Sequence, residues 1–179
     1  SQMKKEFDAE SLKSLVAHFQ DFPHPGVSFC DISPVLSEPG ALLAAAKAMA
    51  STFHQLSISK VAGIESRGFI FGPSIAHILG VGFCLIRKAG KLPGDTIGES
   101  YGLEYGSDTL EIQVDAVVSG DRVLLVDDVL ATGGTLAAAT QLIQTAGAVV
   151  AGATVLIELD FLSGRDQLGA LPVAAVIHY

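Results

Sequence analysis

Residues 122–135 read RVLLVDDVLATGGT, and this stretch decides the fold. Val123 to Val126 is an apolar run bounded by charge, the pattern of a parallel strand buried on both faces. Asp127 and Asp128 then set two carboxylates at the carboxyl end of that strand. Ala131 to Thr135 follow as a small, uncharged loop. Beyond it Leu136, Ala139, Leu142, Ile143 and Ala146 recur at helical spacing, and Gly147 supplies the stop.

Strand, acid pair, glycine-rich turn and helix together make an anion cradle. Gly133 and Gly134 have no Cβ, so their backbone can come close to a phosphate and take up positive φ. Thr132 and Thr135 add hydroxyl donors, and the free N–H groups of the new helix point at the anion. Two carboxylates beside a bare phosphate would repel it. The pattern is consistent when a sugar lies between, its hydroxyls on the acids and its phosphate in the loop. Neither G-x-x-x-x-G-K-[ST] nor G-x-G-x-x-G occurs in the chain. A tight turn with solvated acids would account for Gly133 but not for the doubled acid or both threonines.

The device recurs at Ile64-Glu65-Ser66-Arg67-Gly68-Phe69, where a strand, a tight polar turn and a helix start bring Arg67 beside free helix N–H groups. A forked guanidinium there suits an oxygen-rich diphosphate. Arg87, Lys88 and Lys91 open a third, glycine- and proline-rich segment that reads as a long cationic loop from Arg87 to Tyr105, folding in part into a hairpin with Leu110 to Val114. Loops longer than about a dozen residues are uncommon unless they act as lids or are disordered.

The remaining elements follow from periodicity. Asp8 to Phe19 reads as a helix, Phe22 to Pro34 as irregular proline-punctuated chain, and Ser37 as the cap of a helix running to about Leu56 with Pro39 in its first turn. Val61 to Glu65, Val81 to Ile86, Ala153 to Leu159 and Val173 to Ile177 read as strands, with a helix over Phe69 to Leu79. Alternating strands and helices predict an α/β fold, a mainly parallel central sheet flanked by helices. The whole chain, 1–179, reads as a single domain.

Composition narrows the function classes. The chain has 179 residues, 49% of them hydrophobic, and a net charge of −8. A chain of that size can bury roughly 70% of its unfolded surface. Its acidity disfavours general binding to nucleic acid or to anionic membrane. Of eleven Lys and Arg, four (Arg67, Arg87, Lys88, Lys91) fall in the proposed ligand loops. Cys30 and Cys84, and the five histidines, lack metal-binding or redox spacing. Val129 to Ile157 carries no charge, yet it reads as a loop, an amphipathic helix and a strand rather than a membrane span. With no signal-peptide pattern at its start, the expected location is the cytoplasm.

The segment V-D-D-x-L-A-T-G-G-T resembles the phosphoribosyl pyrophosphate motif of the type I phosphoribosyltransferases. F-P-x-P-G-V-x-F-x-D-I-S from Phe22, E-S-R-G-F-x-F-G from Glu65, R-K-x-G-K-L-P-G from Arg87 and Y-x-L-E-Y-G from Tyr101 narrow the resemblance to the adenine-using members. It implies the type I fold with a small base-binding hood over residues 1–36 and a flexible catalytic loop over 87–105. Asp127 and Asp128 would meet the ribose hydroxyls, and Ala131, Thr132, Gly133, Gly134 and Thr135 would hold the 5′-phosphate. Ser66, Arg67, Arg87, Lys88 and Lys91 would bind pyrophosphate. Ser28 and Cys30 would meet the adenine edge through backbone groups, with Phe29 near the base plane; Ile32 reads as core. Glu104 and Tyr105 would lie over the reaction centre, Glu104 either facing the cationic sugar or moving a proton on adenine. Mg²⁺ is implied through the substrate near Asp127 and Asp128, with no direct protein ligand assigned, and a homodimer is implied as the assembly.

Two features depart from the family pattern. Cys30 stands where the family usually has Arg, and Glu65 holds a position that varies among acids and so reads as tolerant. Two other functions fit these residues: the same transfer to xanthine or hypoxanthine, and a regulator that binds phosphoribosyl pyrophosphate without turning it over.

Overall fold

A computed structural model describes residues 6–103 and 106–179. In chain order its elements are α1 (Ala9–Leu15), β1 (Ala17–Gln20), β2 (Ser28–Asp31), α2 (Ser33–Ser37), α3 (Ala41–Ala50), β3 (Lys60–Ile64), α4 (Gly68–Leu79), β4 (Gly82–Lys88), β5 (Thr96–Leu103), β6 (Gly106–Gln113), β7 (Arg122–Leu130), α5 (Gly134–Thr145), β8 (Val149–Glu158) and β9 (Val173–His178). Short 3₁₀ turns cover Ser51–Phe53, Asp160–Leu162 and Gly164–Gln167.

Seven strands form one sheet in the order β5-β6-β4-β3-β7-β8-β9. The five from β4 to β9 are parallel, and the β5–β6 hairpin adds an antiparallel edge to β4. β7 is central, and its Val123–Val126 run is apolar because both of its faces are covered. Leu124 and Val126 pack with Met49, Phe71 and Ile75 on one side, while Val123 and Leu125 pack with Leu136, Leu142 and Ile143 on the other. The charge-free stretch divides into loop, α5 and β8, and no described helix is long and apolar enough to cross a membrane.

Several boundaries differ from the sequence expectation, each for a physical reason. The first helix ends at Leu15: Val16 turns extended, and Ala17–Gln20 pairs with Ser28–Asp31, so part of the expected helix and part of the expected irregular segment become a two-stranded hood. The helix expected from Ser37 to about Leu56 starts later and ends earlier: Ser37 is instead the last residue of α2, and α3 gives way to a 3₁₀ turn after Ala50. Glu38 is extended, as a residue before proline favours, and Gly40 at φ 84° starts α3. The long loop after Arg87 is in large part the β5–β6 hairpin, whose partner strand takes in all but the last residue of the expected Leu110–Val114.

Leu125 is fully buried. Leu125→Ala removes methyl groups from a site walled by strands, and the expected cost is about 3 kcal/mol in urea unfolding. A loss under about 1 kcal/mol would contradict this packing.

Candidate active site

The parallel pairing of β3 with β7 aligns Gly63 with Val126, so the turn after β3 and the acids late in β7 share one edge of the sheet. Helix α4 starts against that edge at Gly68. A Cβ there would lie 2.8 Å from the Val126 carbonyl oxygen, which only glycine avoids. Arg67 precedes it, and its guanidinium donates to the Asp128 carboxylate. The two turns singled out in the sequence therefore meet.

The acids lie within β7, which runs on to Leu130, and not at its last residue. Asp128 is buried, at 6% exposure. Its backbone N–H donates to Asp127 Oδ1 at 2.8 Å. Burial first, and then the charge of Asp128, push the Asp127 carboxyl well above the usual range. At Arg67 burial acts downward, but Asp128, Asp127 and Asp31 outweigh it and hold the cation charged.

After β7 the loop turns through Ala131, exposed Thr132 and buried Gly133 at φ 90°, then enters α5 with Gly134 and Thr135 part-buried. No side chain caps that helix, so no capping group competes for its first N–H groups.

Across the site, β4 lies parallel to β3, and Glu65 N–H donates to the Ile86 carbonyl at 3.0 Å. Glu65 becomes a collecting point: it accepts the Lys88 backbone N–H at 2.5 Å and Lys91 Nζ at 2.6 Å, with Arg87 Nε 3.6 Å away. Burial would raise its carboxyl, but Lys91, the Lys88 N–H and Arg87 together hold it below the usual range. Arg87 also sits over the Phe69 ring at 5.9 Å, and Lys88 Nζ lies 3.6 Å from Asp108. The expected cations are thus gathered, each beside a carboxylate of the chain itself. Ser66 is exposed in the turn next to Arg67.

The hood closes the arrangement. Phe29 on β2 stands under Arg67, its ring centre 5.8 Å from the guanidinium carbon, and Phe22 packs edge-on against it at 5.2 Å. Ser28 is exposed and bonded by Gln20, while Cys30 is half-buried with its sulfur 3.8 Å from His18 Nδ1. Burial raises the Cys30 thiol, which keeps it neutral. Ile32 is core, as expected, at 3% exposure. Glu104 and Tyr105 lie outside the described residues.

The sequence undervalued Glu65 and gave no hint that Arg67 would lie over Phe29. Position at a strand end, level with two cations, was the available signal for Glu65. The ring contact spans distant segments and leaves no local trace.

A family model of the phosphoribosyl transferase domain matches residues 32–168. The adenine phosphoribosyltransferase of Thermobifida fusca is 53% identical over 161 residues, covering 90% of this chain and 92% of that protein. The chain belongs to the adenine phosphoribosyltransferase family. Among solved structures, the Rhodothermus marinus enzyme superposes with a TM-score of 0.91 at 50% identity, covering 96% of this chain and 98% of that one. The Saccharomyces cerevisiae enzyme, solved with D-2,5-dideoxy-2,5-imino-altritol 1,6-bisphosphate and adenine, superposes at 0.88 with 41% identity, covering 94% and 97%. The type I fold expected from the motifs is therefore the fold observed.

Asp127 gives a pH signature. Its folded pKa is raised, so the protonated form is favoured by folding, and that stability is lost as pH rises from the ordinary carboxyl range through the folded value. In unliganded protein Asp127→Asn should raise the melting temperature at pH 7 by about 2–4 °C, with a smaller gain towards pH 4. A melting temperature unchanged or lowered at pH 7 would contradict the assignment.

Proposed function

We propose that this chain transfers the 5-phosphoribosyl group of phosphoribosyl pyrophosphate to adenine, giving AMP and pyrophosphate. The observation that carries this is the meeting of the two turns, with Arg67 on Asp128 at one edge of the parallel sheet. Family membership supports the reaction, and the adenine complex of the yeast relative supports the base.

In this reading the C1′–oxygen bond to pyrophosphate breaks with its electron pair on the leaving group. Adenine N9 closes on C1′ from the opposite face, and the N–H proton of adenine is lost to solvent or to the departing diphosphate. Asp127 and Asp128 take the ribose hydroxyls and face the positive charge that grows on the sugar. Ala131 to Thr135 take the 5′-phosphate, with the free N–H groups at the start of α5 as donors. Ser66, Arg67, Arg87, Lys88 and Lys91 receive the diphosphate, which displaces the chain's own carboxylates from those cations. Lys88–Asp108 is exposed on both sides, and such a pair contributes only about 0–1 kcal/mol, whereas Asp128 and Glu65 are largely buried and must find new partners when the diphosphate takes their cations. Phe29 stacks near the base, and Ser28 and Cys30 meet its edge through backbone groups, a role that survives the loss of the arginine side chain.

Holding three reactants in line can supply about 7–11 kcal/mol of the barrier. Two crowded carboxylates whose charges oppose one another form a hard oxygen set suited to Mg²⁺ held through the substrate's hydroxyls. That ion would neutralise the diphosphate as it leaves. Glu104 and Tyr105 complete the reaction centre on the strength of the resemblance alone. Purine salvage by a cytoplasmic homodimer of one-domain subunits belongs to the same reading.

The test is pyrophosphate release measured with adenine, hypoxanthine and xanthine side by side, for the wild type and for Asp128→Ala and Glu104→Ala. Release with adenine alone is expected, and each variant should lose about a hundredfold or more in kcat. Turnover of another base in preference would change the substrate. Ligand binding without pyrophosphate release would favour the regulator instead, and unchanged rates in both variants would remove their assigned roles.

A further inference from the structure

Behind the 131–135 loop, on the side away from β3, lies the segment joining β8 to β9. Its 3₁₀ turn at Gly164–Gln167 is tied down from two directions. Arg165 grips the carboxylate of Glu158, the last residue of β8, through Nε at 2.9 Å and Nη2 at 2.7 Å. Its Nη1 donates to the Val173 carbonyl at the start of β9, also at 2.9 Å. The ends of two parallel strands therefore fix the turn.

The turn then interlocks with the loop, backbone against backbone. A Cβ on Gly164 would fall 2.4 Å from the Ala131 carbonyl oxygen, and a Cβ on Gly133 would fall 2.3 Å from the Gly164 carbonyl oxygen. Neither position admits a side chain without displacing the other strand of chain. One side chain adds direction: Gln167 Nε2 donates to the Thr132 carbonyl at 2.9 Å. Only the amide nitrogen can serve there, since a carbonyl accepts and does not donate.

That contact has a geometric consequence. The Thr132–Gly133 peptide is trans, because the cis bonds among the described residues are Phe22–Pro23 and Glu65–Ser66. In a trans peptide the C=O and N–H point in opposite directions. Gln167 holds the carbonyl, so the Gly133 N–H points the opposite way, away from Gln167.

We infer that Gln167 is a positioning residue for the 5′-phosphate loop, acting through the Thr132–Gly133 peptide with Gly164 and Arg165 fixing its own place. The inference rests on the reading of residues 131–135 as the 5′-phosphate cradle. Gln167 touches no reacting atom. Its contribution is to keep one donor aimed before the ligand arrives, so that binding does not have to order it.

Gln167 is exposed, so Gln167→Met keeps the side-chain length, removes the donor and leaves the core untouched. For this variant, KM for phosphoribosyl pyrophosphate and Kd for ribose 5-phosphate should both rise about three- to tenfold, the effect of one lost hydrogen bond. KM for adenine and kcat at saturation should stay within about twofold, since a contact held equally in ground and transition states alters KM alone. Gly164→Ala should move the same constants in the same direction, by more. An unchanged KM for phosphoribosyl pyrophosphate in Gln167→Met would overturn the inference. So would an equal rise for both substrates alongside a lowered melting temperature, the pattern of a purely structural residue. Failure of the wild type itself to bind ribose 5-phosphate would overturn the cradle first and this inference with it, which distinguishes the two failures.

Discussion

Strand β7 has parallel partners on both sides, and the site depends on that constraint. Parallel strands send their following turns to the same edge of the sheet, so the turn after β3, the acids late in β7 and the glycine loop before α5 cannot be far apart. The same pairing forces β7 to be apolar on both faces, with Leu124 and Val126 serving one core and Val123 and Leu125 the other. Two carboxylates emerge where that apolar run ends. A buried strand followed at once by charged groups is a local conflict, and such conflicts belong at functional sites.

The electrostatics resolve that conflict in a provisional way. Arg67 neutralises Asp128, Lys91 and Arg87 gather on Glu65, and Lys88 faces Asp108. An acidic chain thereby carries a concentrated set of cations without leaving them unpaired. Asp127 is the exception, pushed toward its neutral form by burial and by the charge of Asp128. A ligand that brings hydroxyls to the acids and oxyanions to the cations improves both halves together. A phosphorylated sugar bearing a diphosphate has that pattern of groups.

Local chemistry was legible in the sequence, and long-range geometry was not. RVLLVDDVLATGGT declared its strand, loop and helix because each step has its own residue signature, and Arg67 was marked by the same turn chemistry. The helix expected to run on to Phe19 gives way at Ala17 to a strand because Ala17–Gln20 pairs with Ser28–Asp31, a partner that no window around it contains. Glu38 offered a readable signal, since the following Pro39 favours an extended residue, which ends α2 at Ser37 where a helix start was expected. Glu65 looked replaceable as one acid in a turn. Its weight comes from Arg87 and Lys91, which the pairing of β3 with β4 brings alongside. Gln167 and Gly164 lie in a segment of ordinary composition, and only the path of β8 and β9 sets them against the phosphate loop.

The central claim is that one pentose is held by its diol and by its 5′-phosphate at the edge of β7. A crystal structure with AMP bound tests it directly. The account predicts the phosphate among the backbone N–H groups of residues 131–135, the ribose hydroxyls on Asp127 and Asp128, and the base beside Phe29. A nucleotide bound elsewhere, or one whose phosphate rests on the Arg67 turn with the 131–135 loop empty, would contradict it.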